Sequence, residues 1–139
     1  MTIKFFAFIS SMLLFLGLMN SESNLQALVE RQAKAWEKED VSAIIRDFAP
    51  NATFKAASYT FEGIDAIEKT ATNYFNEFTD VKITIKRMII EDRKGAVEWD
   101  WSERSKKTGE RSEAEDAIIF EVQDDGKIIY WREYIEKKS

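Results

Sequence analysis

The feature that most constrains this chain is a change in hydrophobic period near Val81. Before it, apolar residues recur every three to four positions, as on one face of a helix. After it they alternate, as on a strand with one face buried. Four alternating segments are expected, Val81–Glu91, Ala96–Arg104, Arg111–Val122 and Lys127–Ile135. Their connections are Asp92-Arg93-Lys94-Gly95, Ser105-Lys106-Lys107-Thr108-Gly109 and Gln123-Asp124-Asp125-Gly126. These are short, polar and end in Gly, as hairpin turns do. Connections this short join antiparallel neighbours. Helices first and a meander afterwards define an α+β fold, with helices packed on one face of a curved, mainly antiparallel sheet.

Three helices are expected ahead of the meander. The first runs from Asn24 to Glu39, with Leu25, Leu28, Val29, Gln32/Ala33 and Trp36 on one face and Ser23 or Asn24 as cap. Asp40 breaks and recaps the chain. Val41, Ile44, Ile45 and Phe48 then make a short second helix that Pro50 ends. Ala52–Phe61, rich in Thr, Phe and Tyr, reads as one or two short strands. Gly63 precedes a third helix with Ile64, Ile67, Ala71, Tyr74/Phe75 and Phe78 on its apolar face.

The start of the chain has another character. Phe5 to Met19 is an apolar run broken only by Ser10, Ser11 and Gly17, behind the basic Lys4. Such a run, followed by small residues at Ser21 and Ser23, is the pattern of a secretory signal peptide. It is short for a membrane span. The expected organisation is therefore residues 1–23 as signal peptide or hydrophobic anchor and residues 24–139 as one domain. The product would be exported, or membrane-anchored if the segment is kept.

Composition narrows the chemistry. The chain has no Cys and no His. Thiolate nucleophiles, His-based triads and nearly all zinc sites are thereby excluded, and no metal or cofactor is expected. Acid–base work must come from Asp, Glu, Tyr or Lys. The net charge of −5 argues against nucleic acid as partner. Aromatics at 13% suit a pocket lined with rings. Trp36, Tyr59, Phe61, Trp99, Trp101 and Trp131 are the candidate ligand-binding residues, for a small apolar or aromatic molecule.

Several short motifs then fall in a familiar order. They are Trp36 with Asp40, Phe48-Ala49-Pro50-Asn51-Ala52-Thr53-Phe54, Phe61-Glu62-Gly63, Val97-Glu98-Trp99-Asp100-Trp101, Glu115-Asp116-Ala117, Asp125-Gly126-Lys127-Ile128 and Trp131-Arg132-Glu133-Tyr134. Together, from Leu25 to Ile135, they resemble SnoaL-like proteins of the nuclear-transport-factor-2-like superfamily. The resemblance implies a cone in which a bent sheet wraps three helices around a pocket, and a homodimer formed through the outer sheet face. The superfamily holds isomerases, cyclases, epoxide hydrolases and proteins without catalysis, so fold alone does not supply function.

The resemblance points to Asp116 as candidate general base, in a strand continuing Ala117-Ile118-Ile119-Phe120. A carboxyl among apolar neighbours has a raised pKa, which suits proton abstraction near neutrality. Its partners depend on register. A two-residue Asp125-Gly126 turn puts Asp116 on the face of Trp131 and Glu133. A three-residue turn with a bulge at Gly126 puts it with Tyr130, Arg132 and Tyr134, making Arg132 and Tyr134 candidate oxyanion partners. A water-activating set of Asp100, Arg132 and Asp116 would need those three to converge. Trp99 and Trp101, on the face opposite Glu98 and Asp100, belong to the core or to a dimer interface. Three functions remain open: an exported small-molecule-binding domain with no assignable reaction, a cofactor-free isomerase, cyclase or hydrolase using Asp116, and a non-catalytic dimeric interaction module.

Overall fold

The computed structural model describes residues 21–139. The signal-peptide reading therefore falls, for residues 1–20, outside the described residues. Among the described residues, no helix is long and apolar enough to cross a membrane. Helix α1 covers residues 21–37. Ser23 and Asn24 lie within it rather than capping it. Its buried face is Leu25, Leu28, Val29, Gln32, Ala33 and Trp36, the spacing expected of a helix resting on a sheet.

Asp40 restarts the chain. Its carboxylate accepts a 3.0 Å hydrogen bond from the Ala43 amide and caps α2, Val41–Arg46. This helix stops before Pro50, and strand β1, Phe48–Ala56, takes up that proline instead. The strand tolerates it because pairing with the last strand is irregular between Phe48 and Thr53, where a missing N–H breaks no ladder bond. Strand β2, Tyr59–Glu62, folds back on β1. Helix α3, Ile64–Glu77, follows Gly63. Phe78, expected on the helix face, is instead the first residue of β3, Phe78–Glu91. The meander continues through β4, Lys94–Ser105, β5, Arg111–Val122, and β6, Ile128–Lys137.

The six strands form one curved sheet in the order β2-β1-β6-β5-β4-β3. Every neighbour pair is antiparallel except β1 and β6. One face carries the core, in which Trp99, Trp131, Phe120, Ile44, Ile67, Ile118 and Ile128 are fully buried. The α+β expectation, a curved sheet with helices on one side, holds.

Two local devices fix how helices and sheet meet. Buried Gln32 donates from Nε2 to the Ile44 carbonyl and to Asp47 Oδ2, both at 3.0 Å. Asp47 also accepts from Arg31 Nη2 at 2.8 Å, and its carbonyl takes the Ile128 amide at 2.8 Å. One short segment thus ties α1, α2 and the start of β6 together and satisfies the buried amide of Gln32.

The second device is Gly95 on β4. A Cβ there would lie 2.7 Å from the Phe120 ring and 2.9 Å from the Ile89 carbonyl oxygen. Glycine here is what lets Phe120 lie flat on the neighbouring strand. Gly95→Ala is expected to cost about 1–3 kcal/mol of stability through this overlap. Urea unfolding would measure it, and an unchanged midpoint would refute the packing account.

Candidate functional site

Strand β5 alternates strictly. Ala114, Asp116, Ile118, Phe120 and Val122 point inward, and the residues between them point out. The partners of Asp116 then depend on how β5 meets β6. The turn itself is of the three-residue kind: Gln123 and Lys127 flank Asp124-Asp125-Gly126, with the Gln123 amide donating to the Lys127 carbonyl at 2.9 Å and Gly126 at φ +83°. By itself that turn would align Asp116 with Arg132 and Tyr134. The ladder shifts at once, however. Val122 pairs with Ile128, but Glu121 pairs with Tyr130. Ile129 is the extra residue of a β-bulge. From there Phe120 faces Trp131, Ile118 faces Glu133 and Asp116 faces Ile135.

The bulge therefore brings Asp116 and Glu133 to the same inner face and sends Arg132 and Tyr134 outside. This corrects the expectation that Arg132 and Tyr134 could serve as oxyanion partners. Tyr134 is 47% exposed, and the Arg132 guanidinium stacks on its ring, 4.5 Å from the centroid. Nor do Asp100, Arg132 and Asp116 converge. Asp100 lies on the outer face near Lys138 and Lys86, at 3.3 and 3.6 Å. The Trp pair is not available for an outer-face interface either, since Trp99 is 0% exposed and shares the inner face with Trp101.

The inner face opens into a cavity of about 400 Å³. Trp36, Tyr59, Phe61 and Trp101 line it, as expected of pocket walls, together with Phe54, Tyr74 and Phe78. Asp116, Glu133 and Glu103 are its inward carboxyl groups. Trp99 and Trp131 do not line it but lie just beneath, and they reach up with their indole N–H groups. Trp99 Nε1 donates to Asp116 Oδ2 at 3.2 Å, and Trp131 Nε1 donates to Glu133 Oε1 at 2.9 Å.

Trp101 Nε1 repeats the pattern on Glu103 Oε2 at 2.9 Å and also reaches the Tyr74 hydroxyl at 3.1 Å. The Tyr74 hydroxyl donates to the same Glu103 oxygen. Each of the three carboxyl groups is thus held by one indole. Glu103 and Tyr74 were not among the candidates read from sequence, and Glu133 appeared there only as the neighbour of Asp116 in one of two registers. The signal for the two glutamates was present: Trp101-Ser102-Glu103 and Trp131-Arg132-Glu133 place an indole and a carboxyl two residues apart, hence on one strand face.

Burial sets the electrostatics. Asp116 is 3% and Glu133 8% exposed, with no cationic side chain among the described residues paired to either. Desolvation pushes Asp116 up to about 6, opposed by the Trp99 hydrogen bond and reinforced by the charge of Glu103. Desolvation pushes Glu133 further, to about 8, opposed by Trp131 and reinforced by Asp116. Near pH 7, Asp116 is therefore mostly ionised and Glu133 mostly protonated. Burial and the Glu103 contact also raise the Tyr74 phenol, which keeps its proton. Asp116 Oδ1 has no hydrogen-bond partner among the described residues. The site holds one proton acceptor and one proton donor side by side, the separation of roles that acid–base chemistry requires.

Residues 29–131 match the SnoaL-like domain, and the chain belongs to that family. No curated protein matches the sequence. Solved structures share the fold. A protein from Catenulispora acidiphila with a ketosteroid-isomerase-like fold, in complex with trimethylamine, is 18% identical and superposes with a TM-score of 0.70 over 76% of this chain and 82% of its own. An LEH-like epoxide hydrolase from M. tuberculosis is 17% identical, with a TM-score of 0.71 over 84% and 85%. An NTF2-like protein of unknown function from Exiguobacterium is 20% identical, with a TM-score of 0.70 over 78% and 97%. At these identities the likeness is one of fold.

The raised carboxyl groups make stability depend on pH. Both bind a proton more tightly folded than unfolded. Their stabilising effect is complete below the unfolded values near 4 and is lost as pH rises through the folded values, about 6 for Asp116 and about 8 for Glu133. Each contributes a slope of roughly 1.4 kcal/mol per pH unit within its window. The melting temperature should therefore fall between pH 5 and 9, and Glu133→Gln should flatten the upper part of that decline. Identical pH profiles for the variant and the parent would refute the assignment.

Proposed function

We propose that this domain binds a small molecule in the aromatic cavity and moves a proton on it without a cofactor, with Asp116 as general base. The observation that carries the reading is that two buried carboxyl groups, Asp116 and Glu133, line one cavity from the same sheet face, each held by an indole N–H. Asp116 takes a proton from a carbon beside a carbonyl. The C–H electron pair moves onto the carbonyl oxygen, and Glu133 donates a hydrogen bond to the growing negative charge. Return of the proton from Asp116 to the same or another carbon completes an isomerisation or exchange. The aromatic cavity walls hold the carbonyl compound in place.

The test is exchange of α-protons in small cyclic ketones, followed by NMR in D₂O. The full chain should accelerate exchange over buffer, and Asp116→Asn should lose about 10²–10⁴-fold of that acceleration. Equal exchange in the variant, or none above buffer in the parent, would sink the proposal.

A second proposal concerns the outer sheet face. Ile89, Ala96 and Ile119 lie in one cross-strand row, and both isoleucines are about half exposed. The next row carries Ala117 and Tyr134. Around them Lys86, Asp100 and Glu115 supply both signs of charge, which suits a surface meeting its own copy about a two-fold axis. The partner proposed is a second copy of this chain. Sedimentation velocity should show a dimer that Ile119→Glu converts to monomer; a monomeric parent would refute it.

A further inference from the structure

The cavity holds more negative charge than the proton transfer uses, and its rings stand in an arrangement of their own. Trp36, Tyr74 and Trp101 meet nearly at right angles in all three pairings. The interplanar angles are 80° for Trp36–Tyr74, 68° for Trp36–Trp101 and 72° for Tyr74–Trp101, with centroids 5.7, 5.7 and 5.8 Å apart. All three line the cavity. Among themselves they form a corner, while Phe54 stacks on Trp36 and Phe78 on Tyr74 from outside it. A corner of rings presents several electron-rich surfaces to one point, which is how proteins hold ammonium groups.

Two carboxyl groups border that corner. Glu103 is fixed to it directly, through Trp101 Nε1 and the Tyr74 hydroxyl. Its other oxygen, Oε1, accepts only a long contact from Ser112 Oγ at 3.4 Å. Asp116, behind it on the same sheet face, is nine-tenths buried and has one oxygen without a partner among the described residues. No arginine lines the cavity. Of the cationic lining residues, both exposed at the end of β6, Lys137 lies on the inner face opposite Ala114, and Lys138 is turned to Asp100 on the outer face. The deep part of the cavity, around Glu103, Asp116 and the rings, is thus anionic and aromatic, and Lys137 at the exposed end of β6 is the one inner-face cation among the described lining residues.

We propose that the cavity selects organic cations, binding a tertiary or quaternary ammonium group in the Trp36–Tyr74–Trp101 corner against Glu103 and Asp116. The inference deepens the reading of this cavity as a small-molecule site and rests on it. A neutral apolar guest would strip water from the carboxylates and offer nothing in return. An ammonium group supplies the missing counter-charge, and its low hydration suits it to ring faces. The substrate class for the proton transfer is then a carbonyl compound that carries an amine.

Choline and its neutral carbon isostere, 3,3-dimethylbutan-1-ol, separate charge from shape. Calorimetry of the full chain at pH 7.5 should show choline binding at least tenfold more tightly than the alcohol. Glu103→Gln and Asp116→Asn should each reduce that preference severalfold, with no loss of melting temperature. Equal or tighter binding of the alcohol would overturn the inference, as would failure of both to bind. A choline preference unchanged in both variants would overturn the site assigned to it. Because this measurement reads binding and the ketone exchange reads turnover on neutral compounds, either proposal can fail while the other stands.

Discussion

One surplus residue in strand β6 governs the rest of the site. A strand has only two faces, and shifting its register by one residue exchanges them completely. Without the bulge at Ile129, the three-residue turn would bring Arg132 and Tyr134 under the helices. Trp131 and Glu133 would then face outward. With it, Trp131 enters the core, Glu133 joins Asp116, and Ile128 still packs inward beside Phe48. The core and the site are therefore decided by the same local irregularity. Neither can be altered at this point without the other.

The carboxyl groups that result are stabilised in an unusual currency. Buried acids are ordinarily matched with arginine or lysine, which lowers their pKa. Here each receives an indole N–H, a neutral donor. The hydrogen bond offsets part of the desolvation cost but leaves most of it, so the acid stays weak. The arrangement keeps proton affinity high where a salt bridge would have removed it. It also explains the tryptophans' positions: their rings fill the core while their polar edges serve the cavity.

Much of this was legible in the sequence. The change of period at Val81 gave the meander, and the bounds of β5 were read correctly because its alternation is uninterrupted. Asp116 could be placed inward on the same ground. Trp36, Tyr59, Phe61 and Trp101 could be named as walls because large rings in an otherwise polar context need burial. The rest depended on interactions that sequence spacing does not encode. Pro50 marked a helix end by rule, yet sits in a strand at an irregular pairing. The turn type was recoverable from Asp124-Asp125-Gly126, but the compensating bulge, which lets both Ile128 and Trp131 face the core beside Phe48 from far away in the chain, was not. Glu133 was visible only as one of two alternatives for that reason. Glu103 was passed over because the hairpin tip that follows it looks like plain solvated surface.

The pairing of β1 with β6 has a bearing on how the protein comes into being. These strands lie far apart in the chain, and their pairing is the only parallel one among the described strands. Until β6 is in place, the half of the sheet that carries β1 and β2 has no edge on which to dock. Phe54 and Phe61 then face no opposite wall, and Glu133 is absent. During synthesis the helices and the β3–β5 meander can gather first through contacts between near neighbours. The cavity itself forms only when the final strand arrives. A chain cut short by a dozen residues would retain most of its apolar surface and lose the element that covers it, leaving an unpaired β5 edge open to other chains.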